Sequence, residues 1–258
     1  CLNAMDSIMS KIQILIMVFL ILPFCHSCAT APKSLKRQDP LIGKIVDAES
    51  GRIIDFKPLA ERLGAHDIIY LSEKHDNPDH HAAQHRIILE LIDQGKPPVV
   101  GFEFFAMEQT PHLLNFMDAR KADHSNKMDA VIEKDLRRKL NWESQPDRMW
   151  DFYLDLLNLC RDKSLFMAGL DLPQAAKRRI TRKGKNELTR LEQAQLFSTG
   201  LDHPAYQDRM ESIFKAVHCG MGHGKMTQRL YDTWVARNDQ MALSITRLHE
   251  QAHKKGPV

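Results

Sequence analysis

Two periods of hydrophobic spacing meet between Asp67 and Phe105. Ile68-Ile69-Tyr70-Leu71 is a short apolar run with the length and β-branched content of a buried strand. It stops at a polar cluster, Ser72-Glu73-Lys74-His75-Asp76-Asn77-Pro78. A helix is predicted next, with Pro78 near its first turn and Asp79 where a carboxylate favours the N-terminus. Ile87, Ile88, Leu91 and Ile92 give that helix one apolar stripe. After Gly95-Lys96-Pro97-Pro98, a second strand, Val99-Val100-Gly101-Phe102, ends on Glu103. Strand, loop, helix and strand in this order predict two parallel strands side by side with the helix crossing over.

The same patterns extend in both directions. Leu41 to Ile54 reads as a hairpin turning at Glu49-Ser50-Gly51, and a helix around Phe56–Leu63 ends at Gly64. Thr110–Met117 and Met128–Leu140 are amphipathic, and Met149–Cys160 puts Trp150, Tyr153, Leu154 and Leu157 on one helical face. Leu165–Leu170 is the next strand, closed by Asp171-Leu172-Pro173, and from Gln174 to His253 only helical spacing is present. The expected fold is α/β: a mainly parallel sheet flanked by helices, with an inserted helical subdomain. The α/β domain takes 41–173, the helical subdomain 174–253, and 254–258 begin a final strand. Helices packed in this way can leave a cavity for a cofactor.

Composition adds limits. The chain has 258 residues, 43% hydrophobic and 27% charged, which suits one α/β domain with an insertion. A net charge of +3 gives no argument for a nucleic-acid partner. Residues 1–28 read as an export signal: Lys11, an apolar run from Ile14 to Leu22, then small residues, too short for a membrane span. Ser27-Cys28-Ala29 resembles the end of a bacterial lipobox, so Cys28 is the expected lipidation point, with Cys25 the poorer choice. Ala29, where Asp would mark inner-membrane retention, points to an outer-membrane lipoprotein facing the periplasm. Residues 29–40 form a polar, Pro-containing tether. Cys160 and Cys219 remain in the mature body, expected as free thiols although export permits a disulfide. No C-x-x-C-H, Walker loop, G-x-G-x-x-G or G-x-S-x-G occurs.

In open parallel sheets, ligands bind outside the C-terminal strand ends. Glu73 and His75 follow one predicted strand and Glu103 ends its neighbour. With strands about 4.8 Å apart, the three are expected to converge on one ligand. His80, His81 and Gln84, on the first turns of the helix, extend that polar site. A divalent ion there would activate water, which makes a metal-dependent hydrolase one reading. A solvated polar loop with no metal chemistry is another.

The stretches SEKHDNPDHHAAQ (72–84) and VVGFEFF (99–105), followed by Glu108-Gln109, carry a resemblance. GLDLP (169–173) and ARNDQMA (236–242) add to it. Over roughly 41–258 the chain resembles the ChaN-like haem-binding lipoproteins, the haem-binding uptake domains of the Tiki superfamily. Ser72 stands where that family usually has Gly. The resemblance implies haem as cofactor, a role in haem and iron uptake at the bacterial cell envelope, tyrosine ligation of the iron, a haem-uptake receptor as partner and a possible homodimer. It also implies a further strand with a second G-x-x-H motif after Val258, so the chain is expected to be C-terminally incomplete.

Several residues suit a haem site. Tyr206 and Tyr153 are candidate phenolate ligands, since Tyr can hold haem iron. A core or surface aromatic is the alternative for each. His218-Cys219-Gly220-Met221-Gly222-His223 offers His218 and His223 in a glycine-rich loop, against a packed Cys beside a surface His. Lys177, Arg178, Arg179, Arg182, Lys183 and Lys185 form a basic run able to meet haem propionates or anionic headgroups, or simply to face solvent. Cys28→Ala is expected to leave the protein unprocessed and without lipid, as read by fractionation with labelled fatty acid. Equal labelling of the variant moves acylation to Cys25 or removes it.

Overall fold

A computed structural model describes residues 40–119, 126–198, 203–217 and 224–252. The leader with Cys28, nearly all of the tether, the loop with His218, Cys219 and His223, and residues 254–258 lie outside the described residues. The chain divides into two compact units, with the boundary between Asp55 and Phe56.

In the first unit, β1 (Ile45–Val46) pairs antiparallel with β2 (Ile53–Ile54). Asp47 makes the turn: its carboxylate accepts from the Ser50 backbone N–H at 2.8 Å and from the Ser50 hydroxyl at 2.9 Å. Gly51 takes the left-handed backbone with φ 67°, which a side chain would strain.

The second unit opens with α1 (Phe56–Leu63), followed by α2 (Pro78–Asp93). Asn77 caps α2 by accepting from the Asp79 backbone N–H at 2.9 Å, and Pro78 occupies the first turn, where its missing N–H costs nothing. His81, Ile87, Ile88 and Leu91 are its buried residues. Strand β3 (Val100–Ala106) then pairs in parallel with β4 (Met167–Asp171), Val100 opposite Met167. Between them lie α3 (Thr110–Ala119), α4 (Asn126–Lys139) and α5 (Asp147–Asp162), the long crossover a parallel pair requires. One core joins this crossover to the sheet, including Phe105, Leu113, Trp150, Leu157 and Met167, each at most 1% exposed.

The fold is α/β as expected, but one strand is a correction. Ile68–Leu71 forms no ladder among the described residues, so β4, and not this run, is the described neighbour of β3. Tyr70 is 74% exposed, and the Leu71 carbonyl accepts from the Gln84 side chain at 3.1 Å. Strand β3 also runs past Glu103. From Phe102 opposite Gly169 to Ala106 opposite Asp171, β3 advances four residues and β4 only two. This irregularity re-aims Glu103 and Phe104, as bulges near functional sites do.

Beyond β4 the described residues form helices: α6 (Gln174–Lys183), α7 (Arg190–Leu196), α8 (Pro204–Val217) and the 28-residue α9 (Lys225–Ala252). Helix α7 starts on a capping box of Thr189 and Glu192. Helix α9 carries a buried polar stripe that includes Asp239, Gln240 and Ser244. Ser244 donates to the Leu170 carbonyl at 3.1 Å, so the helix satisfies a backbone group of β4. Among the described residues, no helix is long and apolar enough to cross a membrane.

Gly169 has a specific reason to be glycine. A Cβ there would run into the carbonyl oxygens of Ala106 and Phe105, which are backbone atoms that cannot swing aside. Gly169→Ala is expected to lower stability by about 1–3 kcal/mol, the usual cost of overpacking. Urea denaturation monitored by circular dichroism reads this, and an unchanged midpoint would mean the bulge yields freely.

Candidate functional site

Glu73 gathers residues from three places in the chain. The turn after Leu71 supplies Glu73 and His75, α2 supplies His81 and Gln84, and α5 supplies Tyr153. The Tyr153 hydroxyl donates to one carboxylate oxygen of Glu73, and His75 Nδ1 lies 3.1 Å from that same oxygen. Gln84 Nε2 donates to the other oxygen at 3.0 Å. His81 Nδ1 is 3.3 Å from it, an approach that serves as an ion pair when the imidazole is protonated but lacks hydrogen-bond alignment. His81 Nε2 sits 3.0 Å from the His75 carbonyl, which fixes the ring. His80 stands apart from the carboxylate; its Nδ1 accepts from the Lys74 backbone N–H at 2.8 Å.

The carboxylate has only 11% of its side chain exposed. Burial alone would raise its pKa. Hydrogen bonds from Tyr153, His75 and Gln84, with the charge of His81, outweigh that and hold Glu73 below the ordinary glutamate value. Burial, and then the hydrogen bond and charge of Glu73, push the Tyr153 phenol far up, so it stays protonated. Aromatic rings close the surroundings: His81 stacks on Phe152 at 4.8 Å, while His75 meets Phe104 at 4.5 Å edge to face.

Glu103 belongs to a second cluster. Its carboxylate accepts from Arg237 Nη2 of α9 at 3.2 Å, and the same guanidinium donates through Nε to Asp171 at 2.9 Å. Asp171 closes β4 and also receives Lys177 Nζ at 2.7 Å and the Leu172 backbone N–H at 2.7 Å. Burial would lower the Arg237 pKa, but Asp171 and Glu103 reverse this and raise it. Phe104 lies between the clusters, touching His75, Trp142 and Tyr153, and it also lines a cleft of about 500 Å³ beside Asp171 and α6.

The predicted residues therefore separate. Glu73, His75, His81 and Gln84 come together, while Glu103 is held by Arg237. Among the described residues, no group of three or more His, Cys, Asp or Glu side chains is arranged to hold a metal ion. Tyr153, expected on the haem side, joins Glu73 and is 3% exposed. Tyr206, on α8, is half-buried with its ring 5.3 Å from that of Trp234 on α9, and its hydroxyl has no partner among the described residues. Asp171 and Arg237 were not singled out from sequence. Asp171 had a usable signal, the C-terminal strand end that also marked Glu103. Arg237 had none beyond its place in ARNDQMA.

The profile of the family described as "Haem-binding uptake, Tiki superfamily, ChaN" matches residues 59–258. The chain belongs to this ChaN family. The structure is also similar to that of ChaN of Campylobacter jejuni, described as showing cofacial heme binding. That similarity has a TM-score of 0.54 and 20% sequence identity, covering 76% of this chain and 70% of the other. It supports the shared fold. No curated protein matches. Tyr206 keeps a half-buried ring beside the Trp234 indole, with no described partner for its hydroxyl. Tyr153 is committed to Glu73.

Because Glu73 has a depressed pKa, its stabilisation is present above the unfolded-state value and is lost as pH falls through the folded-state value. Tyr153→Phe removes one charge-assisted donor, so it is expected to raise the Glu73 pKa and to cost about 1–3 kcal/mol near neutral pH. The difference from wild type should shrink as Glu73 protonates. NMR titration of Glu73 and denaturation at several pH values check both, and a Glu73 titration unmoved in the variant would contradict the pairing.

Proposed function

We propose that this protein binds haem at the cell envelope, with Tyr206 as the oxygen ligand to the iron. Family membership supports the haem part. The phenol of Tyr206 against Trp234, with no partner for its hydroxyl among the described residues, is the observation that carries the choice of ligand. Bound haem supplies a ferric iron that a phenolate can hold. The chain's part is to present that oxygen and an apolar face, with Ile213 and Val217 of α8 exposed near Tyr206 in sequence. His218 and His223, outside the described residues, remain candidate second ligands in this reading.

The leader and Ser27-Cys28-Ala29 support a lipid-anchored protein of the outer membrane facing the periplasm. An uptake role then calls for a receptor that exchanges haem with it, and a homodimer is the assembly this reading favours. The hydrolase reading needs Glu73, His75 and Glu103 on one ion, and no described arrangement favours it.

Haem titration of the purified protein, followed by absorbance, tests the proposal. Wild type is expected to shift and sharpen the Soret band. Partners that only orient a metal ligand are worth about 10- to 100-fold, so loss of the ligand in Tyr206→Phe should weaken binding at least that much. Glu73→Gln, once circular dichroism confirms folding, should leave the spectrum nearly unchanged. Normal haem binding by Tyr206→Phe, with loss in Glu73→Gln, would move the site to the strand ends.

A further inference from the structure

The β1–β2 hairpin is apolar on both of its faces. An antiparallel ladder with one face toward water normally alternates, apolar inward and polar outward. Here Ile45-Val46 pairs with Ile53-Ile54, and no paired position is polar. Ile45 opposite Ile54 is the half-buried pair. Val46 opposite Ile53 belongs to the other face, and these two are 40% and 57% exposed. Ile42, in the turn that leads into β1, is 59% exposed. A two-stranded ribbon is at best marginally stable by itself. Covering these side chains would remove the cost of holding them in water.

Position in the chain points to what covers them. The hairpin is the first described element after the expected lipidation point, Cys28, and residues 29–40 separate the two. That length of chain spans at most about 40 Å when fully extended, little more than the roughly 30 Å of one hydrocarbon core. A lipid on Cys28 therefore keeps the hairpin within reach of the leaflet that holds it. Tethering also makes a weak contact intramolecular, at an effective concentration on the order of millimolar. Charge agrees with this. Residues 29–40 carry Lys33, Lys36 and Arg37 against Asp39, three positive charges less one, or +2. Basic residues beside an apolar surface favour anionic headgroups. Asp47 and Glu49 lie at the hairpin turn, the far end of β1 from Ile42, and Asp55 follows Ile54 at the same end as Lys44.

We propose that Ile42, Val46 and Ile53 form a membrane-docking face that enters the interfacial zone of an anionic bilayer. The inference rests on the lipid-anchored reading and goes beyond it: the lipid holds the end of the chain, and this face holds the hairpin against the headgroups. A second copy of this chain is the rival occupant. A stable interface between two proteins takes about 800 Å² from each partner, which a face of three such side chains does not supply. A bilayer accepts them one by one, as it accepts the apolar side of an interfacial helix.

The test uses the mature protein in vesicles of phosphatidylethanolamine and phosphatidylglycerol. A nitroxide is attached through Ile53→Cys, or through Glu49→Cys at the exposed turn for comparison. Cys219→Ser removes a competing thiol, and Cys160 is buried. Electron paramagnetic resonance then compares relaxation by oxygen, which concentrates in lipid, with relaxation by a nickel chelate, which stays in water. The Ile53 probe is expected to prefer oxygen and the Glu49 probe the chelate. Ile42→Ser/Val46→Thr should abolish the preference at Ile53, while Thr keeps the β-branching that suits β1. An Ile53 probe as open to the chelate as the Glu49 probe would overturn the proposal, with no substitution at Ile42 or Val46 needed. So would a preference for oxygen that the double substitution leaves unchanged. Dipolar broadening between Ile53 probes that disappears on mixing with unlabelled protein would give the face to a second copy and overturn it as well. Mass spectrometry of the N-terminus reads the lipid separately. Lipidated protein with an aqueous Ile53 probe keeps the anchor and loses the docking face, and protein without lipid whose probe prefers oxygen does the reverse.

Discussion

Asp171, with 3% of its side chain exposed, sits at the end of β4 between Lys177 of α6 and Arg237 of α9. A buried carboxylate with one partner removed is destabilising by about 3–5 kcal/mol, so both cations are held to it. Arg237 then reaches Glu103 on the irregular stretch of β3. One charge thus fixes where two helices meet the C-terminal edge of the sheet. The cleft next to it inherits its shape from those helices.

Local chemistry was legible in the sequence where the signal was local. Pro78 and Asp79 announced the start of α2, Gly51 announced the hairpin turn, and the apolar spacing of Trp150, Tyr153 and Leu157 announced the buried face of α5. What periodicity gives is a face, and what it withholds is the partner. Tyr153 was read correctly as part of an apolar helical face, yet its hydroxyl meets Glu73, 80 residues away. Arg237 meets Asp171 across 66 residues. No spacing rule connects such pairs.

Ile68–Leu71 shows the opposite limit. Its composition is that of a buried strand, but a strand needs a ladder partner, and composition cannot supply one. The extension of β3 to Ala106 was likewise hidden, because it depends on Gly169 allowing the carbonyls of Phe105 and Ala106 to approach. The candidate site followed the same division. The cluster Glu73, His75, His81 and Gln84 was foreseeable from one loop and the helix after it, whereas the separation of Glu103 from it came from a helix more than a hundred residues later.

These placements assign different work to the two halves of the chemistry. The Glu73 carboxylate is largely buried and accepts from Tyr153 and Gln84 beside His75, which suits a structural clasp between the loop, α2 and α5. Among the described residues, the helical side keeps a phenol whose hydroxyl has no partner, which suits a ligand. Resonance Raman spectroscopy of the ferric haem complex tests this division most directly. The account predicts phenolate vibrations that shift when tyrosine rings are deuterated and vanish in Tyr206→Phe. A low-spin, bis-imidazole spectrum that is the same in wild type and Tyr206→Phe would contradict it.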